Sequence, residues 1–74
     1  PETLRSTVLS VKGVREISRV RSRWVGSTCA VDLIIEVDAK LPTEAAHKIT
    51  DQLEKLLTDR FDVHDISIHV EPHA

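Results

Sequence analysis

The chain has 74 residues, enough for one small domain. Ten basic residues against twelve acidic ones give a net charge of −2 with histidines neutral, which excludes a basic nucleic-acid-binding domain on bulk charge. Apolar residues make up 41% and charged residues 30%, the composition of a folded domain rather than of a disordered or membrane-spanning chain.

Leu4, Val8 and Val11 recur at i, i+4, i+7, which predicts a helix over residues 2–11 that ends at Gly13. Val14 to Val25 is rich in β-branched residues and arginine and reads as a strand. Gly26-Ser27 supplies a two-residue hairpin turn, type II′ because glycine takes the first central position. In the next strand Cys29, Val31, Leu33, Ile35 and Val37 alternate with Ala30, Asp32, Ile34, Glu36 and Asp38, so one face is core and the other mostly polar. Folding the hairpin at that turn sets Trp24, Ser22 and Val20 opposite Cys29, Val31 and Leu33 on the core face. On the other face it sets Arg23, Arg21 and Arg19 opposite Ala30, Asp32 and Ile34.

Pro42-Thr43-Glu44 opens a second helix, with a capping hydroxyl and an early acid. Ala46, Ile49, Leu53 and Leu56 form its buried stripe, and His47, Thr50, Asp51 and Glu54 its outer face. Val63 to Glu71 alternates again, with Ile66, Ile68 and Val70 inward and Asp65, Ser67, His69 and Glu71 outward, before Pro72 ends the strand. The expected fold is α+β in the order αββαβ: a three-stranded mixed sheet with both helices on one face. This is an open-faced two-layer sandwich, a truncated ferredoxin-like fold, whose bare face carries the arginines, Asp32 and His69.

The core has to be built from Val, Ile and Leu, because the chain holds one Trp and one Phe. A chain this short buries only ~60% of its unfolded surface, and oligomerisation or a bound metal is an ordinary remedy. One cysteine excludes a disulfide framework and a CxxC motif, and suits a reducing compartment. The best apolar run, Leu33-Ile34-Ile35, is far short of the ~18 residues of a membrane span, and no signal peptide is visible. The start at Pro1 is expected of a piece excised from a longer protein, with residues 1–74 as a single domain.

Chemistry concentrates in a few residues. If the last strand lies at the sheet edge, the start of the second helix brings His47 near His69 and Glu71. Two imidazoles and a carboxylate suit a divalent transition metal such as Zn²⁺, Fe²⁺ or Mn²⁺. Asp32 stands four residues before Glu36, ~13 Å along the strand. It would act elsewhere, near a two-fold axis where it meets its own copy, or simply pair with Arg21. Cys29 reads as a small core residue, Trp24 as core or interface filler, and Arg19, Arg21 and Arg23 as a solvated strand face. His64 and His73 have no evident partner. No nucleophile elbow, Ser-His-Asp order or glycine-rich phosphate loop is present, so an enzyme is not expected.

The series Val20-Arg21-Ser22-Arg23-Trp24-Val25-Gly26, then Ile35-Glu36-Val37-Asp38, Ala46-His47, Leu53-Glu54 and Ile68-His69-Val70-Glu71-Pro72, resembles the cytoplasmic domain of cation diffusion facilitator transporters over residues 10–72. The resemblance implies a regulatory domain of a membrane antiporter that exports or sequesters divalent cations. Such a domain forms a V-shaped homodimer, and metal between its arms favours a closed, transport-active form. By position, His47, His69 and Glu71 match the family's ligands, and Asp32 matches a central acidic ligand of the magnetosome iron-transporting branch. Ser18 and Ile34 stand where the zinc/iron exporters of enteric bacteria have histidines, and Ala30 where the magnetosome branch can carry tryptophan. The implied setting is the cytoplasmic face of a bacterial inner or magnetosome membrane, reached through a transmembrane portion outside this chain. The rival expectation is a purely structural dimerisation module without a metal response.

Overall fold

The structure, a computed structural model, describes residues 2–74. Its elements follow the expected order: α1 (Glu2–Leu9), β1 (Glu16–Val25), β2 (Thr28–Asp38), α2 (Thr43–Arg60) and β3 (Val63–His73). The sheet order is β1-β2-β3, with β1 antiparallel and β3 parallel to the central β2. Strands of ten and eleven residues make the molecule 39 Å long and only 18–19 Å across.

Val31, Leu33, Ile35 and Val37 of β2 are buried, and Leu4 and Val8 of α1 and Ile49, Leu53 and Leu57 of α2 close over them. Both helices therefore cover one face of the sheet. The hairpin register agrees residue for residue with the sequence reading from Trp24↔Cys29 to Arg19↔Ile34. Gly26 has φ +65°, and no described non-glycine residue has positive φ, as a type II′ turn requires. Gly13 (φ +103°) ends the α1 region, and a Cβ there would lie 2.5 Å from Ile49 Cδ1, so α2 approaches bare backbone.

Several boundaries differ from the sequence expectation. α1 stops at Leu9, with Val11 held by a turn to the Val8 carbonyl. β1 begins at Glu16 rather than Val14. Pro42 itself takes the helix-capping position, so the expected hydroxyl cap is absent and Thr43 lies inside the first turn. The α2 stripe is Ile49, Leu53 and Leu57 at an i, i+4, i+8 spacing, with Leu56 only half-buried. β3 continues through Pro72 to His73, since an edge strand tolerates a residue without an N–H on its unpaired side. Val70 is partly exposed because β3 flanks the core rather than crossing it.

Two bulges have functional consequences. Ser18 is an extra residue in β1, between Ile17↔Ile35 and Arg19↔Ile34. Strict alternation from Arg19 would turn Ile17 outward. The bulge resets the phase, sending Ile17 to the core side and Glu16 to the bare face opposite Glu36. His64 is likewise extra in β3, which lets Val63 as well as Ile66 pack inward.

Replacing fully buried Leu53 with alanine should cost about 2–5 kcal/mol in a denaturant melt, a large share of a small domain's stability. Gly13→Ala should also destabilise, by at least ~1 kcal/mol, because both the φ and the contact with Ile49 oppose a Cβ.

Candidate metal-binding face

The uncovered face of the sheet carries Arg19, Arg21 and Arg23 from β1, Asp32, Ile34, Glu36 and Asp38 from β2, and Ser67, His69, Glu71 and His73 from β3. Its charges are sorted along the strands. The arginines lie toward the hairpin, and the carboxylates lie toward the opposite end.

At the acidic end, Glu16, Glu36 and Glu71 stand on one rung across all three strands. Like charges directly opposite one another are unfavourable in a sheet. His73, two residues beyond Glu71 on the same face, answers this crowding: its Nδ1 lies 2.9 Å from Glu36 Oε1 and 3.7 Å from Glu16 Oε2. The Ser18 hydroxyl, delivered by the bulge, donates to Glu36 Oε2. Ligand atoms of Glu16, Glu36 and His73 all lie within 4.8 Å of one another, the one such group of three among the described residues. His73 therefore has partners that sequence reading missed. The signal was present in the i, i+3 spacing of Ile17 and Val20, which breaks a period of two.

The Ser18 hydrogen bond, and after it that of His73, hold the Glu36 carboxyl below the usual glutamate range. Both favour the charged form and outweigh the opposing effect of partial burial.

Nearer the hairpin, a cavity of about 300 Å³ is lined by Arg19, Arg21, Asp32, Ile34, Ser67 and His69. Asp32 lies opposite Ser67 and His69 opposite Ile34, so the two candidate ligands are diagonal neighbours facing one space. In the sequence Asp32 is measured along β2 from Glu36; with β3 running beside β2, Asp32 and His69 line one space. Asp32 is in register with Arg21, but its ion pair is with Arg23, at 2.9 Å. With both side chains more than a third exposed, that pair contributes at most a fraction of a kcal/mol.

Glu71 projects from the same bare face, two residues beyond His69. His47 is exposed on α2, in the helical layer behind the sheet. β3 is the edge strand the sequence argument required. Even so, His47, His69 and Glu71 are not a group with mutual distances under 4.8 Å within one chain. Their alternation explains this: His69 and Glu71 point away from the side that α2 covers.

His64 pairs with Asp62 at 2.9 Å on the surface. Cys29 is half-buried beside the core, as expected of a small filler. Trp24, expected in core or interface, is 71% exposed within this chain.

In an NMR titration the Glu36 carboxyl should protonate below the ordinary glutamate range, and Ser18→Ala should move it upward. A depressed folded-state value means that this group's stabilisation is present near neutrality and is lost as pH falls through that value.

Comparison with known proteins places these features in a family. The sequence pattern of the cytoplasmic domain of cation efflux proteins matches residues 2–73. The uncharacterized transporter YdbO of Bacillus subtilis is 34% identical over 71 residues, 96% of this chain and 24% of that protein. The cation-efflux pump FieF of Pectobacterium carotovorum is 38% identical over 65 residues, 88% of this chain and 22% of the pump. The manganese efflux system protein MneS of Bacillus subtilis is 28% identical over 68 residues, covering 92% and 23%. The chain thus spans about a quarter of the curated relatives it matches. Among solved structures, a MamM CTD variant in its cadmium form superposes with a TM-score of 0.90 at 24% identity, covering 99% of this chain and 91% of that one, a likeness of fold. Among the described residues no helix is long and apolar enough to cross a membrane. With the αββαβ sandwich and a family match over nearly its whole length, the chain belongs to the cation diffusion facilitators as a cation efflux protein cytoplasmic domain.

Proposed function

We propose that residues 1–74 are the metal-sensing, dimerising regulatory domain of a divalent-cation efflux or sequestration transporter. The observation that carries the reading is the shared cavity of Asp32 and His69 on the one sheet face the helices leave bare. A carboxylate and an imidazole suit Zn²⁺, Fe²⁺ or Mn²⁺, but two ligands are too few for a site. A second copy packed on the same face supplies the complement, so that the cation is gripped between two arms. Glu71 lies on that face two residues beyond His69, whereas His47, on α2 behind the sheet, stands outside this cavity. The cation takes Asp32 from Arg23, which costs little at an exposed pair.

The ligand bonds between arms exist only in the closed dimer, so metal shifts the population toward it. At 100 times its dissociation constant, a ligand that binds one state alone contributes about 2.7 kcal/mol. That is enough to exchange one arm spacing for another. The names of relatives support divalent cations as the signal: one is a manganese efflux protein, and MamM CTD variants exist in cadmium and nickel forms. The parent protein would sit in a bacterial inner or magnetosome membrane with this domain on the cytoplasmic face, working in transport rather than catalysis.

One observation favours a second reading, a dimerisation module without a metal response: Arg19 and Arg21 line the cavity, and Arg23 holds Asp32. Calorimetric Zn²⁺ titration with scattering measurements separates the two. The sensing domain should bind Zn²⁺ and become more compact, and Asp32→Asn/His69→Ala should abolish the compaction. A dimer whose shape ignores Zn²⁺, or a double variant that still closes, defeats the proposal.

A further inference from the structure

We propose that Glu16, Glu36 and His73, one from each strand, form a second divalent-cation site that lies wholly within one protomer. Two carboxylates and one imidazole form a mixed oxygen and nitrogen donor set suited to Mn²⁺, Fe²⁺ or Zn²⁺. These ions bind such ligands at about 2.0–2.2 Å, so ligands across one ion stand up to ~4.4 Å apart. Ligand atoms already within 4.8 Å of one another need only small rotations about side-chain bonds. No backbone movement and no partner chain are required, in contrast to the Asp32–His69 cavity.

Two further observations point to a cation here. Glu16, Glu36 and Glu71 share one rung, an arrangement of like charges that a cation relieves. Arg15 pairs with Asp38 (3.9 Å), and among the described residues only His73 lies within ion-pair reach of Glu16 and Glu36. The Ser18 hydroxyl, bonded to Glu36, orients that carboxylate from outside the ligand set, as hydrogen-bonded supports of metal ligands do. Such a site ties β1 to β3 across β2 before any dimer closes.

Zn²⁺ titration of the chelator-stripped chain, followed by calorimetry and by the His73 ring signals in NMR, tests this. Asp32→Asn/His69→Ala should retain one Zn²⁺ per chain, with the His73 ring shifted at saturation. Adding Glu16→Gln or His73→Ala to that background should weaken the remaining site at least tenfold. Glu16→Gln keeps size and shape, so it decides the matter if the histidine variant misfolds. If Asp32→Asn/His69→Ala binds no Zn²⁺, or if Glu16→Gln leaves affinity and stoichiometry unchanged, the intra-protomer site is overturned while the inter-arm reading is untouched. If Asp32→Asn/His69→Ala retains this Zn²⁺ and still compacts, the inter-arm reading falls while the intra-protomer site stands.

Discussion

β2 is the constraint on which the rest of the structure depends. It is the central strand, bonded on both edges, and its Val31, Leu33, Ile35 and Val37 bury one face under two helices. Because side chains alternate strictly along a strand, the same eleven residues must send Asp32, Ile34, Glu36 and Asp38 the other way. Two helices of 8 and 18 residues cover only one face. Core formation and the presence of a bare polar face are thus one event. A one-residue slip would expose the core and bury the carboxylates together, which is why the register is held so firmly.

The bare face is bipolar in a way the net charge of −2 conceals. Toward the hairpin stand Arg19, Arg21 and Arg23 with Asp32 among them, and toward the far end Glu16, Glu36, Glu71 and Asp38. A cation approaching the far end meets excess negative charge, whereas one approaching Asp32 and His69 meets arginine. Sites along one face can therefore differ in what they require. The acidic end brings Glu16, Glu36 and His73 of one chain within 4.8 Å of one another, while the arginine-flanked cavity holds only Asp32 and His69 as carboxylate or imidazole donors. Burial sharpens the difference little, since both regions remain partly open to water and screened by salt.

The element order, both strand directions and the hairpin register were legible in the sequence because each rests on local periodicity. Cys29 to Val37 alternates without a break, Gly26-Ser27 admits few turns, and α2 carries a four-residue stripe. The choice of Leu57 over Leu56 was not legible. Both are leucines near the same stripe, and only packing against the rest of the core decides which one is covered. The partnership of Asp32 with Arg23 rather than Arg21 has a similar origin: sheet twist and side-chain length favour a diagonal contact over the one directly opposite.

By itself the sequence determined the two-layer αββαβ sandwich, the strand that forms its core, and which residue types face outward. Those follow from alternation and turn chemistry, which act over a few residues. Tertiary structure alone decided which outward residues meet. Asp32 and His69 line one cavity because β3 lies parallel beside β2, and His73 reaches Glu36 because β3 runs on through Pro72. Glu16 joins them because one extra residue at Ser18 shifts the phase of β1. Contacts between side chains 37 or more positions apart depend on bulges, strand ends and helix placement, and these are settled only when the whole sheet is paired.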